Sequence, residues 1–145
     1  MANTTAVCNS FKLDLALAEM NFTVATDVFR WSLHTSTEVF DKTTVAFSAT
    51  NEVSGTAYVT RGVTVANVTP VVNADSAIFD WATDPTWSAS TITADATLLF
   101  NDTIASPVDA SVAVWDFGGP QSSSGGSFIL ELPVAAAGTA ILELA

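Results

Sequence analysis

From about residue 22 onward, apolar and polar residues alternate with a period of two, the spacing of a strand with one face on a core and the other in water. Phe29, Trp31 and Leu33 share one face of a predicted strand, and Arg30, Ser32 and His34 share the other. Ala57, Val59 and Val63 keep one parity across Arg61-Gly62, which reads as a turn or bulge, and Val63 and Val65 lead on to Thr69-Pro70. Ala77, Phe79 and Trp81 alternate with Ile78 and Asp80, and Asp84-Pro85 marks a turn before Trp87. Over 91–100, Ile92, Ala94, Ala96, Leu98 and Phe100 face one way and Thr91, Thr93, Asp95 and Thr97 the other. Ala113, Trp115 and Phe117 alternate with Val112, Val114 and Asp116. Gly118-Gly119-Pro120 and Ser122-Ser123-Ser124-Gly125-Gly126 read as a flexible loop. Phe128, Leu130 and Leu132 then run into Pro133, and the chain ends on Ala140, Leu142 and Leu144. The pattern predicts about eight short strands with turn signals roughly every 8–15 residues: an all-β domain, an antiparallel β-sandwich or jelly roll.

The first twenty residues read differently. Residues 1–10 are small, polar and unpatterned, which predicts a flexible N-terminal arm, with 11–145 as one β-rich domain. Ser10 is placed to cap a short helix over Phe11–Met20, favoured by Leu, Ala, Glu and Met and stopped at Asn21, although Leu13, Leu15 and Leu17 also fit a strand. Ala2-Asn3-Thr4-Thr5 has neither a basic nor an apolar region of the secretory kind, so the expectation is a protein that stays inside a cell or a particle assembled there.

Composition narrows the function classes. The chain has 145 residues, 49% hydrophobic but only 13% charged, with 15 acidic against 4 basic residues and a net charge of −11. High hydrophobicity with few charges argues against disorder. The negative charge repels phosphate backbones and anionic lipids, so neither nucleic acid nor a membrane is an expected partner. No apolar run approaches the ~20 residues of a spanning helix. A single Cys forms no internal disulfide, and no Cys/His cluster is spaced for zinc.

Chemistry-bearing residues are few. His34 is the one imidazole and sits on the polar parity of its strand, where a solvated histidine is expected. Cys8 has only Lys12 nearby to stabilise a thiolate, so a buried or partner-contacting thiol is expected. Asp80 and Asp84 flank Trp81, and Asp116 adjoins Trp115, an arrangement that would suit a stacked sugar. Outward acids that keep a Val- and Ala-rich protein dispersed are the simpler reading. Asp116-Phe117-Gly118 matches a kinase tripeptide with none of the other kinase elements around it. Asn3, Asn21, Asn67 and Asn101 head Asn-x-Thr sequons, which a Thr-rich chain produces by chance. Trp31, Trp81 and Trp115 lie on apolar parities, leaving Trp87 as the tryptophan expected to be exposed. No catalytic, cofactor-binding or metal-ligating residue is assigned, and the chain is not expected to be an enzyme.

The landmarks also occur in a suggestive order. Cys8-Asn9-Ser10-Phe11-Lys12 precedes a Leu-rich segment and Asn21-Phe22, then Arg30-Trp31-Ser32-Leu33 and Thr43-Thr44-Val45-Ala46-Phe47. Asn51-Glu52-Val53-Ser54-Gly55-Thr56-Ala57-Tyr58, Gly62-Val63, Val68-Thr69-Pro70, Phe79-Asp80, Trp87, Thr91-Ile92-Thr93-Ala94 and Asp116-Phe117-Gly118-Gly119 follow. Over nearly its whole length the chain resembles a family of small virion structural proteins of tailed bacteriophages. Where that family carries Gly-x-His-Asn-Phe, this chain has Ala18-Glu19-Met20-Asn21-Phe22. The resemblance implies a virion component, a capsid decoration (cement) protein on the outer shell. Its implied partners are the major capsid protein or other virion proteins, with homo-oligomerisation, as a trimer, alongside. The alternatives are a tail, collar or adaptor component, or a glycan-binding β-sandwich module using Trp87. The resemblance implies no cofactor and no catalytic residues.

Overall fold

The computed structural model describes residues 3–23, 27–35, 37, 39–66, 69–81 and 83–144. Two antiparallel sheets and one short helix make up the fold, so the expected all-β class is what the chain adopts. The elements in chain order are β1 (Ala6–Val7), α1 (Asn9–Ala16), β2 (Phe29–His34), β3 (Val63–Thr64) and β4 (Val71–Asn73). They continue with β5 (Ser76–Phe79), β6 (Thr86–Ala105), β7 (Val108–Ile129) and β8 (Leu142–Leu144). The larger sheet has the order β1-β7-β6-β2-β3 and the smaller one β4-β5-β8.

The β6–β7 hairpin is the spine. Its middle, where Leu98 pairs with Val114 and Leu99 with Ala113, carries β2 on one side and β1 on the other. Beyond that middle the two strands continue as a ribbon, from the Ala94–Gln121 pair out to Thr86–Ile129. The segment expected to be a flexible loop, 118–126, is therefore part of β7. Asp116 pairs with Ala96 and Gln121 with Ala94, so Phe117–Pro120 stand opposite Asp95 alone. The Gly-Gly-Pro signal marks that bulge, where Gly118 and Gly119 take positive φ, rather than a chain reversal.

The N-terminal segment also departs from expectation. Residues 3–10, expected as part of a free arm, are built into the domain. Ala6 and Val7 pair with Val114 and Ala113, Asn3 is buried, and the Cys8 amide donates to the Val112 carbonyl at 2.9 Å. A chain edge left open by β7 offers unpaired backbone groups, and these residues satisfy them. The helix starts two residues earlier than predicted and ends at Ala16, with Cys8 at its N-cap. The Ser10 hydroxyl instead donates to the Thr44 and Ser111 carbonyls.

Both faces of the central sheet are covered. On the first, Phe29 and Trp31 meet Trp81 edge-on at 5.6 and 5.5 Å, and Phe22 stacks on Phe29 at 4.7 Å. Phe11 and Phe79 close the same layer from the helix and the small sheet. On the second face lies the irregular segment 39–61. Phe47 stacks on Phe100 at 4.6 Å, and Phe40 meets His34 edge-on at 4.6 Å. Arg61 spans this layer, its guanidinium 5.2 and 5.4 Å from the Phe47 and Phe100 ring centres while it pairs with Asp102 and Asp109. A second, smaller cluster of Leu33, Val53, Trp87, Ile92, Ala94 and Phe128 fills the space beneath the ribbon.

Candidate functional site

The side chains with chemical potential prove to be engaged in the fold. His34, expected on a wet face, is 0% exposed, because the Phe40 and Phe47 layer lies over that face. Ser32, two residues away on the same face, shares a 2.9 Å hydrogen bond with His34 Nε2. A serine next to an imidazole is the core of a nucleophile–base pair, and strand parity alone does not single it out. Both residues are fully buried, and no carboxylate hydrogen-bonds Nδ1 to orient the ring, so a substrate has no route to the serine oxygen.

Burial also lowers the His34 pKa to about 4, with the Thr50 backbone partly offsetting the shift. The folded state thus holds the ring neutral while the unfolded chain takes up a proton below about pH 6.5. Stability is complete above that value and falls as pH drops towards 4. Between about pH 6.5 and 5, above the range of ordinary carboxylates, the loss amounts to about 2 kcal/mol. Urea midpoints measured across that window should slope downward for the native chain and run flat for His34→Gln.

Cys8 is likewise 0% exposed, and burial together with the Asp41 charge pushes its thiol up to about 12. An inert core thiol follows, as expected for a buried cysteine. Iodoacetamide should leave the folded protein unlabelled at neutral pH and label it stoichiometrically in denaturant. Fast labelling of the native chain would contradict this placement.

The candidate acids are each engaged in local contacts. Asp80 is buried and accepts from the Trp81 amide at 2.7 Å, and burial raises its pKa. Asp84 accepts from the Leu132 amide and Asp116 from the Gly118 amide, so each holds a local chain path. Asp102 and Asp109 are tied to Arg61, and Asp102 also to Arg30, which holds the Asp102 carboxyl below its ordinary value despite partial burial. The uniformly solvated acidic skin suggested by strand parity is thus partial. Glu19, Asp75, Asp84 and Glu131 are exposed, whereas Asp14 and Asp80 are buried.

Among the other candidates, Asn3 and Asn101 are buried and hydrogen-bonded, so neither sequon is open to a glycan in the folded chain. Asn21 is exposed, and Asn67 and Val68 lie outside the described residues. Trp87 is 2% exposed, which corrects its assignment as the exposed tryptophan. The residues after the Pro85 turn enter β6 directly, and the ring falls beneath the ribbon. Among the described residues no group of three His, Cys, Asp or Glu side chains is placed to hold a metal ion. No helix among them is long and apolar enough to cross a membrane.

What remains open is a stretch of surface. Two cavities, of about 380 and 220 Å³, both border Phe117 and Leu130 along β7. The larger runs past Gln121, Ser122 and Ser127 to Ile129, and the smaller ends on Trp31, Trp115 and Ile141. Trp115 is half-buried with its ring 5.2 Å from that of Trp31, so the aromatic found in this groove is not the one the sequence favoured. The signal available in the sequence was the Trp115–Phe117 pair lying next to an edge-like Gly/Ser stretch. No family model matches this chain, and neither a curated protein nor a solved structure does.

Proposed function

We propose that this chain is a non-enzymatic virion structural protein, a decoration protein that stabilises the head of a tailed phage by binding its major capsid protein. The observation that carries the reading is the fate of the reactive side chains. His34, Cys8 and Ser32 are sealed in the core, and Arg30 and Arg61 are consumed by internal ion pairs, leaving a rigid β body whose surface offers contacts rather than chemistry. The resemblance of its sequence landmarks to those of small virion proteins points the same way. A net charge of −11 suits a protein produced in many copies beside packaged nucleic acid, since it opposes both self-adhesion and binding to phosphate. Weak contacts repeated over a symmetric shell add up by avidity, so no single large interface is needed, and a homotrimer is the assembly that fits threefold positions. With Trp87 buried, the glycan-binding alternative loses the ring on which it rested.

Purified particles provide the test. A decoration protein is present in copy numbers comparable with the major capsid protein, and particles lacking it break open at lower temperature. A few copies per particle would instead assign it to the tail, collar or adaptor. Particles of unchanged composition and stability without it would overturn the virion reading altogether.

A further inference from the structure

The outer edge of β7 is unpaired over a long run. β1 pairs with β7 only at Ala113 and Val114, so among the described residues 115–129 has β6 on one side and no strand on the other. Open edges are normally guarded by charged side chains, yet 117–129 contains none; Pro120 and the positive-φ glycines interrupt only parts of it. Alongside this edge runs the groove formed by the two cavities, lined by β7 and the residues 130–133 that follow it, with Trp31 from β2, Thr97 from β6 and Ile141 closing the smaller cavity. At its inner end Trp31 is 1% exposed, and its indole N–H meets no acceptor among the described residues. A buried donor left without a partner is costly, so an acceptor supplied from outside is favoured there.

From these observations we infer that β7 and its groove form a docking site for an extended segment of a partner protein, added as a further strand along 117–129. Main-chain hydrogen bonds to the open edge supply the register, and alternate side chains of the segment enter the groove. The cavity walled by Trp31, Trp115 and Ile141 takes one apolar anchor, whose neighbouring main-chain carbonyl can accept from the Trp31 indole. Charge fixes the rest of the partner's chemistry. The larger cavity is lined by uncharged residues, whereas Asp116 and Glu131 line the smaller one, Asp84 sits beside it on the Leu132 amide, and Arg30 and Arg61 are engaged elsewhere. The fitting segment is therefore apolar at alternate positions and carries Lys or Arg at its ends. A second copy pairing through the same edge fits poorly, because 117–129 carries no Lys or Arg and would bring Asp116 and Glu131 against their own counterparts. This inference stands independently of the virion reading.

A displayed library of random peptides about 12 residues long, selected on the full chain and counter-selected on Trp115→Ala, tests it. Enriched peptides should alternate apolar residues between basic ends, and the best of them should slow amide exchange in 117–130 by at least about tenfold. Ile129→Lys places a cation in the groove at a half-exposed position that the fold does not need, and should weaken binding by about tenfold or more. If Trp115→Ala does not melt cooperatively, Ile129→Lys serves as the counter-target. No enrichment, enrichment of acidic peptides, or protection elsewhere on the chain would overturn the inference. So would protection of 117–130 that rises with protein concentration alone, the mark of a second copy.

Discussion

Gly62→Ala should destabilise the protein by about 4 kcal/mol and lower its Tm by about 10 to 15 °C. Gly62 has a φ of +70°, in the left-handed region where a Cβ is disfavoured. Strain of that kind alone costs on the order of 1 kcal/mol. Steric collision costs more. A Cβ at this position would stand 1.8 Å from the Trp31 carbonyl oxygen and 2.7 Å from the Ser32 Cα, both backbone atoms of β2. Backbone cannot rotate away as a side chain can, so relief requires the turn at Val59–Gly62 to separate from β2. That separation loosens the Arg61 pairs to Asp102 and Asp109 and the Trp31–Val63 pairing. The gain from restricting the unfolded chain, about 0.4–1 kcal/mol for a Gly→Ala change, is too small to offset this. Gly138→Ala is the control. Its φ of +82° is equally unfavourable, but a Cβ there meets nothing within 4 Å, so about 1 kcal/mol is expected. Urea denaturation of the two variants with unchanged m-values would separate strain from collision. Equal losses would show that the collision contributes nothing.

Much of the fold was legible because it is periodic, and the errors arose where periodicity carries no information. The alternation at Ile92, Ala94, Ala96, Leu98 and Phe100 placed all five residues correctly in the interior. The same rule misplaced His34 and Ser32, since it assumes that the second face of a strand is wet. The cover on that face comes from 39–61, an irregular segment whose contacts depend on distant pairings such as Ala46 with Ala110. A trace of it was present in the sequence: Phe40 and Phe47 in an unpatterned stretch require an apolar surface to rest on. The Gly- and Ser-rich run 118–126 was misread for a different reason. Turn residues mark where backbone departs from regular geometry, and a bulge on an exposed edge departs as much as a loop does. The groove left only the Trp115–Phe117 trace in the sequence, because Trp31, Trp115 and Ile141 are brought together by tertiary packing and not by spacing in the chain.

Trp87→Ala should cost about 3–5 kcal/mol, the range for removing a large aromatic from a core. The ring is 2% exposed, stacked near Tyr58 at 6.0 Å and meeting Phe128 edge-on at 5.9 Å, with Leu33, Val53 and Ile92 in the same cluster. Its neighbours are held by backbone pairing on both ribbon strands, so the space left behind cannot close easily. Trp87→Phe gives a sharper reading. Replacing a buried tryptophan ordinarily also breaks an indole hydrogen bond, but the Trp87 N–H has no acceptor among the described residues. The phenyl ring therefore gives up volume while relieving an unpaired donor, and a loss of only about 1–2 kcal/mol is expected. Chemical denaturation measures both values, and amide exchange over 86–94 should quicken in the alanine variant as the ribbon loses its underlayer. A tryptophan on the surface behaves otherwise: its truncation changes stability by no more than about 0.5 kcal/mol and leaves exchange untouched. The size of the alanine effect thus decides between a ring that supports the ribbon and one held out for a ligand.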